Sequence, residues 1–225
     1  RPKGVRIDSG DITYLSKKCR KILDEAGYPD CGIVASNSLD EYIIRDMLLQ
    51  GAKIDSFGVG ERLITSKSEP VFGGVYKLAA VENEDGVIIP KIKISENVAK
   101  ITTPCFKQVY RLYSKETDKA MADVVTLHDE EFDSGKPYVL FDPEHTWKRK
   151  TVSGFYVKPL LKQIFRRGEC IYDFPGIEAL RERCARETDS LWDEVKRFEN
   201  PHKYYVDLSD KLWRIKQSML EEYNV

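Results

Sequence analysis

Along the first third of the chain, short apolar runs alternate with stretches whose apolar residues recur at helical spacing. Residues 4–7 are predicted as a strand, with Val5 and Ile7 on one face and Arg6 and Asp8 on the other. A helix follows, with Ile12, Leu15, Cys19, Ile22, Leu23 and Ala26 as its apolar side and Gly27 as its stop. Residues 31–35 form a second strand leading through Ser36 and Asn37 to another helix. Ser38 and Glu41 make a capping-box pattern there, and Leu39, Tyr42, Ile43, Met47 and Leu48 make the stripe. A third strand, 54–58, runs into Gly58-Val59-Gly60 and a short helix from Glu61.

Strands alternating with helices imply parallel pairing with right-handed crossovers, hence an α/β class. Polar and glycine residues fall after each strand, at the end where ligands of α/β folds sit. Three strands cannot close a barrel. Either this is a small open sheet, or it is part of an incomplete α/β barrel whose other strands lie outside the sequence. The chain opens almost at once on a buried-looking strand, as a fragment does.

Beyond residue 70 the pattern shifts to short β runs at 75–81, 87–94, 109–113, 120–127 and 138–141, punctuated by turn-like 83–86 and 134–137. From about Gly154 a helical pattern returns, with apolar stripes over 176–198 and 209–223. The expected division is 1–69 for the strand–helix units, 70–153 for a β-rich accessory layer and 154–225 for C-terminal helices.

Composition narrows the class. The 225 residues are 41% hydrophobic and 32% charged, with a net charge of −1, which disfavours a general affinity for nucleic acid or anionic membranes. No apolar run reaches the roughly 18 residues of a membrane span, and the start resembles neither a signal nor a transit peptide. The five cysteines are scattered without a C-x-x-C pair, so no metal site is expected and the compartment is expected to be reducing and cytoplasmic.

Arg6 and Asp8 carry the first chemical signal. A cation and a carboxylate on one face of a core strand either neutralise each other or bind a ligand, the arginine meeting a carboxylate or flat ring and the aspartate accepting from sugar hydroxyls. Gly58-Val59-Gly60 is either a plain tight turn or a loop whose N–H groups approach an anion. Lys77, Lys100, Lys107 and Arg111 add cations in or near the β layer. The three histidines sit in polar stretches without zinc spacing, and neither a nucleophile elbow nor a Walker loop is present.

Gly4-Val5-Arg6-Ile7-Asp8-Ser9-Gly10-Asp11, Ser36-Asn37-Ser38-Leu39-Asp40-Glu41, Phe57-Gly58-Val59-Gly60 and Gly73-Gly74-Val75-Tyr76-Lys77-Leu78 resemble, in order and spacing, nicotinate phosphoribosyltransferase. The closing run Asn200-Pro201-His202-Lys203-Tyr204-Tyr205-Val206, then Leu208-Ser209, is similar to that family's end. The resemblance implies a type II phosphoribosyltransferase, with an incomplete α/β barrel and a β-strand accessory domain. It implies joining of nicotinate to phosphoribosyl pyrophosphate, with Mg²⁺ and coupled ATP hydrolysis, in a cytoplasmic homodimer of the NAD-forming pathway. It places Arg6 against the pyridine ring or its carboxylate and Asp8 at the ribose. Ser36 and Asn37 would border the 5′-phosphate, and Gly58, Val59 and Gly60 would cradle it. Lys77, Lys100 and Lys107 would answer pyrophosphate or ATP. Many members have threonine where this chain has Glu61. The family is roughly twice this length, and its phosphorylated histidine is expected outside this sequence. The alternatives are a sister enzyme using nicotinamide or quinolinate, and a fragment serving binding or oligomer contacts.

Overall fold

The computed structural model describes residues 2–71 and 73–223, which divide into two compact units, Arg1–Val75 and Tyr76–Val225. In the first unit, β1 (Gly4–Ile7), α1 (Ile12–Glu25), β2 (Gly32–Ala35), α2 (Glu41–Leu49), β3 (Ser56–Phe57) and α3 (Glu61–Ile64) follow one another as the alternating pattern requires. The sheet is parallel in the order β1-β2-β3, with Arg6 paired to Val34 and Ala35 to Phe57. The third strand is shorter than its apolar run.

Ile7, Ile12, Ile33, Ala35, Leu39 and Met47 form the buried core, with Leu15, Cys19, Leu23, Ile43 and Val59 packed on it. Each helix therefore turns part of its predicted stripe inward. Ile22, Tyr42 and Leu48 are instead more than half exposed, because a short three-stranded sheet offers too little surface to cover a wide stripe. At the sheet's other end the Asp55 carboxylate accepts from the Ile33 N–H at 2.7 Å, tying β2 to the segment before β3.

The capping box is corrected. Asp40, not Ser38, is the N-cap of α2, its Oδ1 accepting from the Ile43 N–H at 2.9 Å. Ser38 has φ +47°, outside the extended conformation that an N-cap needs. Arg62 pairs with the other oxygen of Asp40, and the backbone N–H of Ile43, with that guanidinium, holds the Asp40 carboxyl below its usual range.

The second unit is built on an antiparallel pair, β6 (Lys107–Ser114) and β7 (Ala120–Leu127). Before it come β4 (Ala80–Glu82), β5 (Ile88–Pro90) and a single 3₁₀ turn, Val98–Lys100. After it come β8 (Tyr138–Phe141), β9 (Arg149–Val152), β10 (Phe155–Pro159), β11 (Phe165–Arg166), β12 (Glu169–Cys170), α4 (Ile177–Asp189), β13 (Val206–Leu208) and α5 (Asp210–Glu222). The main sheet runs β10-β6-β7-β13, with β13 parallel to β7 and the other pairs antiparallel. Leu112, Ala122, Val124, Leu140, Val152 and Phe155 form its core, and Leu208 and Leu212 seal a second cluster with Cys105.

Residues 154–176 are strands and turns rather than helix: Phe155-Tyr156-Val157 is β-branched and aromatic, and Tyr156 stacks on Tyr113 across the ladder with ring centroids 5.2 Å apart. The strand expected from residue 75 begins at Ala80, with irregular backbone before it. Among the described residues, no helix is long and apolar enough to cross a membrane.

Candidate functional site

The carboxyl ends of β1 and β2 bring three of the sequence-predicted residues into contact. An Arg6 Nη1 proton goes to Ser36 Oγ at 2.9 Å, and the Ser36 hydroxyl donates to Asp8 Oδ1 at 2.6 Å. Arg6 Nη1 also lies 3.1 Å from that same Asp8 oxygen. The Arg6 and Asp8 side chains are 63% and 51% exposed, so the expectation of charges buried in a core is corrected. The sheet face that carries them is not covered by the first unit's helices, and an exposed pair contributes about 0–1 kcal/mol. With one Nη engaged, the rest of the guanidinium fork points at no described partner and matches a carboxylate bidentately.

The backbone beside this trio is unusual. Asn37 and Ser38 take φ +98° and +47° in succession, directly after β2. Asparagine tolerates such angles through local hydrogen bonding, serine less so, and adjacent left-handed residues cost free energy that a plain connection would avoid. These two residues carry the chain from the end of the central strand β2 towards α2.

The glycine loop sits on the neighbouring strand end. A Cβ on Gly58 would stand 3.4 Å from Ser36 Cβ, an ordinary van der Waals contact, so the turn after β3 lies beside the trio. The Gly58 N–H is spent on the Ala35 carbonyl at 2.8 Å. Val59 directs its side chain to the core, and Gly60 is the N-cap of the four-residue α3. Glu61 does not pair with Arg62. Its Oε1 is 3.4 Å from Ser38 Oγ, while Arg62 goes to Asp40.

The three predicted lysines belong to the second unit. Lys77 is exposed on irregular backbone, and Lys100 ends the exposed 3₁₀ turn. Lys107 is different: its Nζ donates to the carbonyls of Thr103, Pro104 and Cys105 at 2.9, 3.1 and 2.6 Å. All three ammonium protons are thereby used to close a turn in which Cys105 has φ +75°. Burial lowers the Lys107 pKa. Arg111, noted from sequence only as a cation, closes two parallel bonds on Asp123 at 2.8 and 2.9 Å and reaches Glu187 at 3.1 Å. Tyr204 donates to Asp123 as well, at 2.9 Å. Nothing in periodicity foretold this network; the facing register of Arg111 and Asp123 could have been read only from the ladder.

Comparison with known proteins decides the family. Residues 106–216 match the model described as "Nicotinate phosphoribosyltransferase C-terminal domain". Over 219 residues the chain is 43% identical to nicotinate phosphoribosyltransferase of Bacillus subtilis (strain 168), covering 97% of this chain and 44% of that protein. The chain belongs to the nicotinate phosphoribosyltransferase family. Nicotinate phosphoribosyltransferase 2 of Arabidopsis thaliana is 34% identical over 220 residues, covering 93% of this chain and 38% of its own length. The chain thus spans less than half the length of these curated relatives.

The fold agrees with the family. The crystal structure of human nicotinic acid phosphoribosyltransferase superposes with a TM-score of 0.71 at 23% identity, over 100% of this chain and 41% of that one. Nicotinate-nucleotide pyrophosphorylase from Pyrococcus furiosus gives a TM-score of 0.54 at 24% identity, over 84% of this chain and 40% of its own. Both likenesses are of mixed α/β architecture.

Proposed function

We propose that this chain is the C-terminal portion of an enzyme that joins nicotinate to phosphoribosyl pyrophosphate. The strand–helix units would be part of an incomplete α/β barrel, and the protein a cytoplasmic homodimer in NAD formation. The Arg6–Ser36–Asp8 cluster at the strand ends, beside the Gly58 turn, carries the reading, and family membership supports it.

In the reaction the nicotinate ring nitrogen forms a bond to the anomeric carbon as the bond from that carbon to the pyrophosphate oxygen breaks, and pyrophosphate departs with the electron pair. Positive charge develops on the ribose ring at the crossing point, so positioning and electrostatics carry the catalysis. The unengaged edge of Arg6 takes the nicotinate carboxylate. Asp8, fixed by Arg6 and Ser36, presents negative charge to the ribose. Asn37 borders the 5′-phosphate, and Gly58, Val59 and Gly60 cradle it. Lys77 and Lys100 remain candidates for pyrophosphate or ATP, while Lys107 serves its own turn.

Mg²⁺ and ATP belong to this proposal as companions of the phosphorylated substrate. At the strand ends Asp8 is already tied to Arg6 and Ser36, and Glu61 to Ser38, so those residues do not fit a self-contained Mg²⁺ site.

The test is product formation by the full-length protein with nicotinate, nicotinamide and quinolinate offered in turn. Product from nicotinate alone supports the reading, and preference for either other acceptor replaces it with the sister activity. The 225-residue chain alone is expected to form no product.

A further inference from the structure

Two joined depressions of the second unit are lined by groups that the strand-end cluster does not use. The first, of about 220 Å³, has Met121, Leu140 and Phe141 as its wall, with Tyr205 and Asp207 beside them. It shares Met121, Lys150 and Tyr205 with a second, of about 370 Å³, that continues to Trp192. The β8–β9 register sets the charge pattern: Phe141 faces Arg149 and Leu140 faces Lys150, so apolar wall and cationic rim come from one hairpin. Lys148, Arg149 and Lys150 line the first depression in succession. Arg149 is held by the Thr146 carbonyl at 2.9 Å, with its guanidinium carbon 5.4 Å from the Phe141 ring centroid. Lys148 and Lys150 make no ion pair among the described residues.

Asp207 supplies the second half of the pattern. It is only 4% exposed, yet it lines the same depression beside a second carboxylate, Asp142, and it accepts from the Phe141 backbone N–H with acceptor capacity to spare. A carboxylate at the floor of an apolar slot would repel a simple anion and accept from an N–H donor. A slot for a flat ring, an acceptor at its floor and three cations at its mouth select a molecule that is aromatic at one end and phosphorylated at the other.

We propose that this groove binds a nucleotide, its base lying against Met121, Phe141 and Tyr205 with an N–H edge on Asp207, and its phosphates on Lys148, Arg149 and Lys150. The groove is lined by residues of the second unit alone, and the proposal does not use the strand-end residues. Burial, and then the charge of Asp142, pushes the Asp207 pKa up to about 6, so its carboxylate gains from an N–H partner.

The experiment uses the full-length protein, photolabelled with 8-azidoadenosine diphosphate and mapped by peptide, beside calorimetric titration by adenosine diphosphate of the wild type and of the exposed double variant K148A/K150A. The label should fall on peptides carrying Met121 or Tyr205. K148A/K150A should weaken adenosine diphosphate about tenfold and reduce that labelling in step. Label confined to other peptides, an affinity unchanged in K148A/K150A, or no binding of adenosine diphosphate would each overturn the proposal. Because K148A/K150A changes only surface side chains, loss of fold does not cloud the result.

Discussion

Arg6 on β1 and Asp8 just past its end lie 3.1 Å apart, and Ser36, just past the end of β2, bonds to both. The serine has one proton to give, and it gives it to Asp8. Its lone pair is taken by Arg6. The hydroxyl therefore acts as a spacer that fixes two opposite charges at a sheet edge, leaving both more than half exposed. That is poor use of charge for stability and a good arrangement for meeting a substrate with both a carboxylate and a developing cation.

Arg6→Ala in the full-length protein should lower turnover of nicotinate by about 100-fold or more, the usual cost of removing a positioned electrostatic group. Its thermal midpoint should hardly move, because the pair is exposed. Steady-state kinetics beside a melting curve check this. Near-normal turnover would remove Arg6 from the site.

Ser36→Ala separates the spacer from the charges. Arg6 and Asp8 would keep their attraction but lose the fixed geometry, so kcat should fall by about 10-fold with less change in the KM for nicotinate. Equal losses in both arms of that comparison would mean that Ser36 touches substrate directly.

How much of this could be read in advance depends on the range of the interaction. The strand–helix units, Ala120–Leu127 and Tyr138–Phe141 were legible because their apolar period is local. That Arg6, Asp8 and Ser36 fall at strand ends was legible too, but not that Ser36 bridges the pair rather than standing with Asn37. Their exposure was not, because alternation along β1 says which residues share a face but not what covers it. The cap of α2 escaped because Ser38 takes φ +47°, which the capping-box pattern does not reveal, and Asp40 accepts from Ile43 instead. β13 was missed because three residues of strand have too little pattern, and only pairing with β7 defines them.

Lys107→Met tests whether that lysine holds its turn or meets phosphate. Three carbonyls would lose their donor, and the loss should destabilise the chain by about 1–3 kcal/mol in urea unfolding. The KM for phosphoribosyl pyrophosphate should stay unchanged in the full-length protein. A raised KM with unchanged stability would return Lys107 to the substrate.

The Arg111–Asp123 pair should be costly to break on one side only. Asp123→Ala leaves a mostly buried guanidinium with Glu187 alone, at about 3–5 kcal/mol. Replacing both partners, Arg111→Met with Asp123→Leu, should recover much of that loss, because neither buried charge then lacks a partner. A double variant as unstable as Asp123→Ala would show that Tyr204 and Glu187 need the charges themselves.

Asp207 gives the chain a pH dependence of known sign. Its carboxyl rises from the ordinary 3.8 to about 6, chiefly through burial and then through the charge of Asp142. The folded state holds this proton more tightly than the unfolded state, so the group's stabilising contribution is complete below the unfolded value and is lost as pH rises through 6. Asp40 and Asp142, whose carboxyls are lowered, contribute with the opposite slope, so the wild-type melting curve alone mixes the two. Asp207→Asn removes only the first. An amide resembles the protonated acid, so variant and wild type should melt at nearly the same temperature near pH 4. The variant should become the more stable as pH rises from about 4 to about 6, and the gap should level off above that. A difference between the two that stays constant from pH 4 to 7 would mean that Asp207 titrates alike in the folded and unfolded chain.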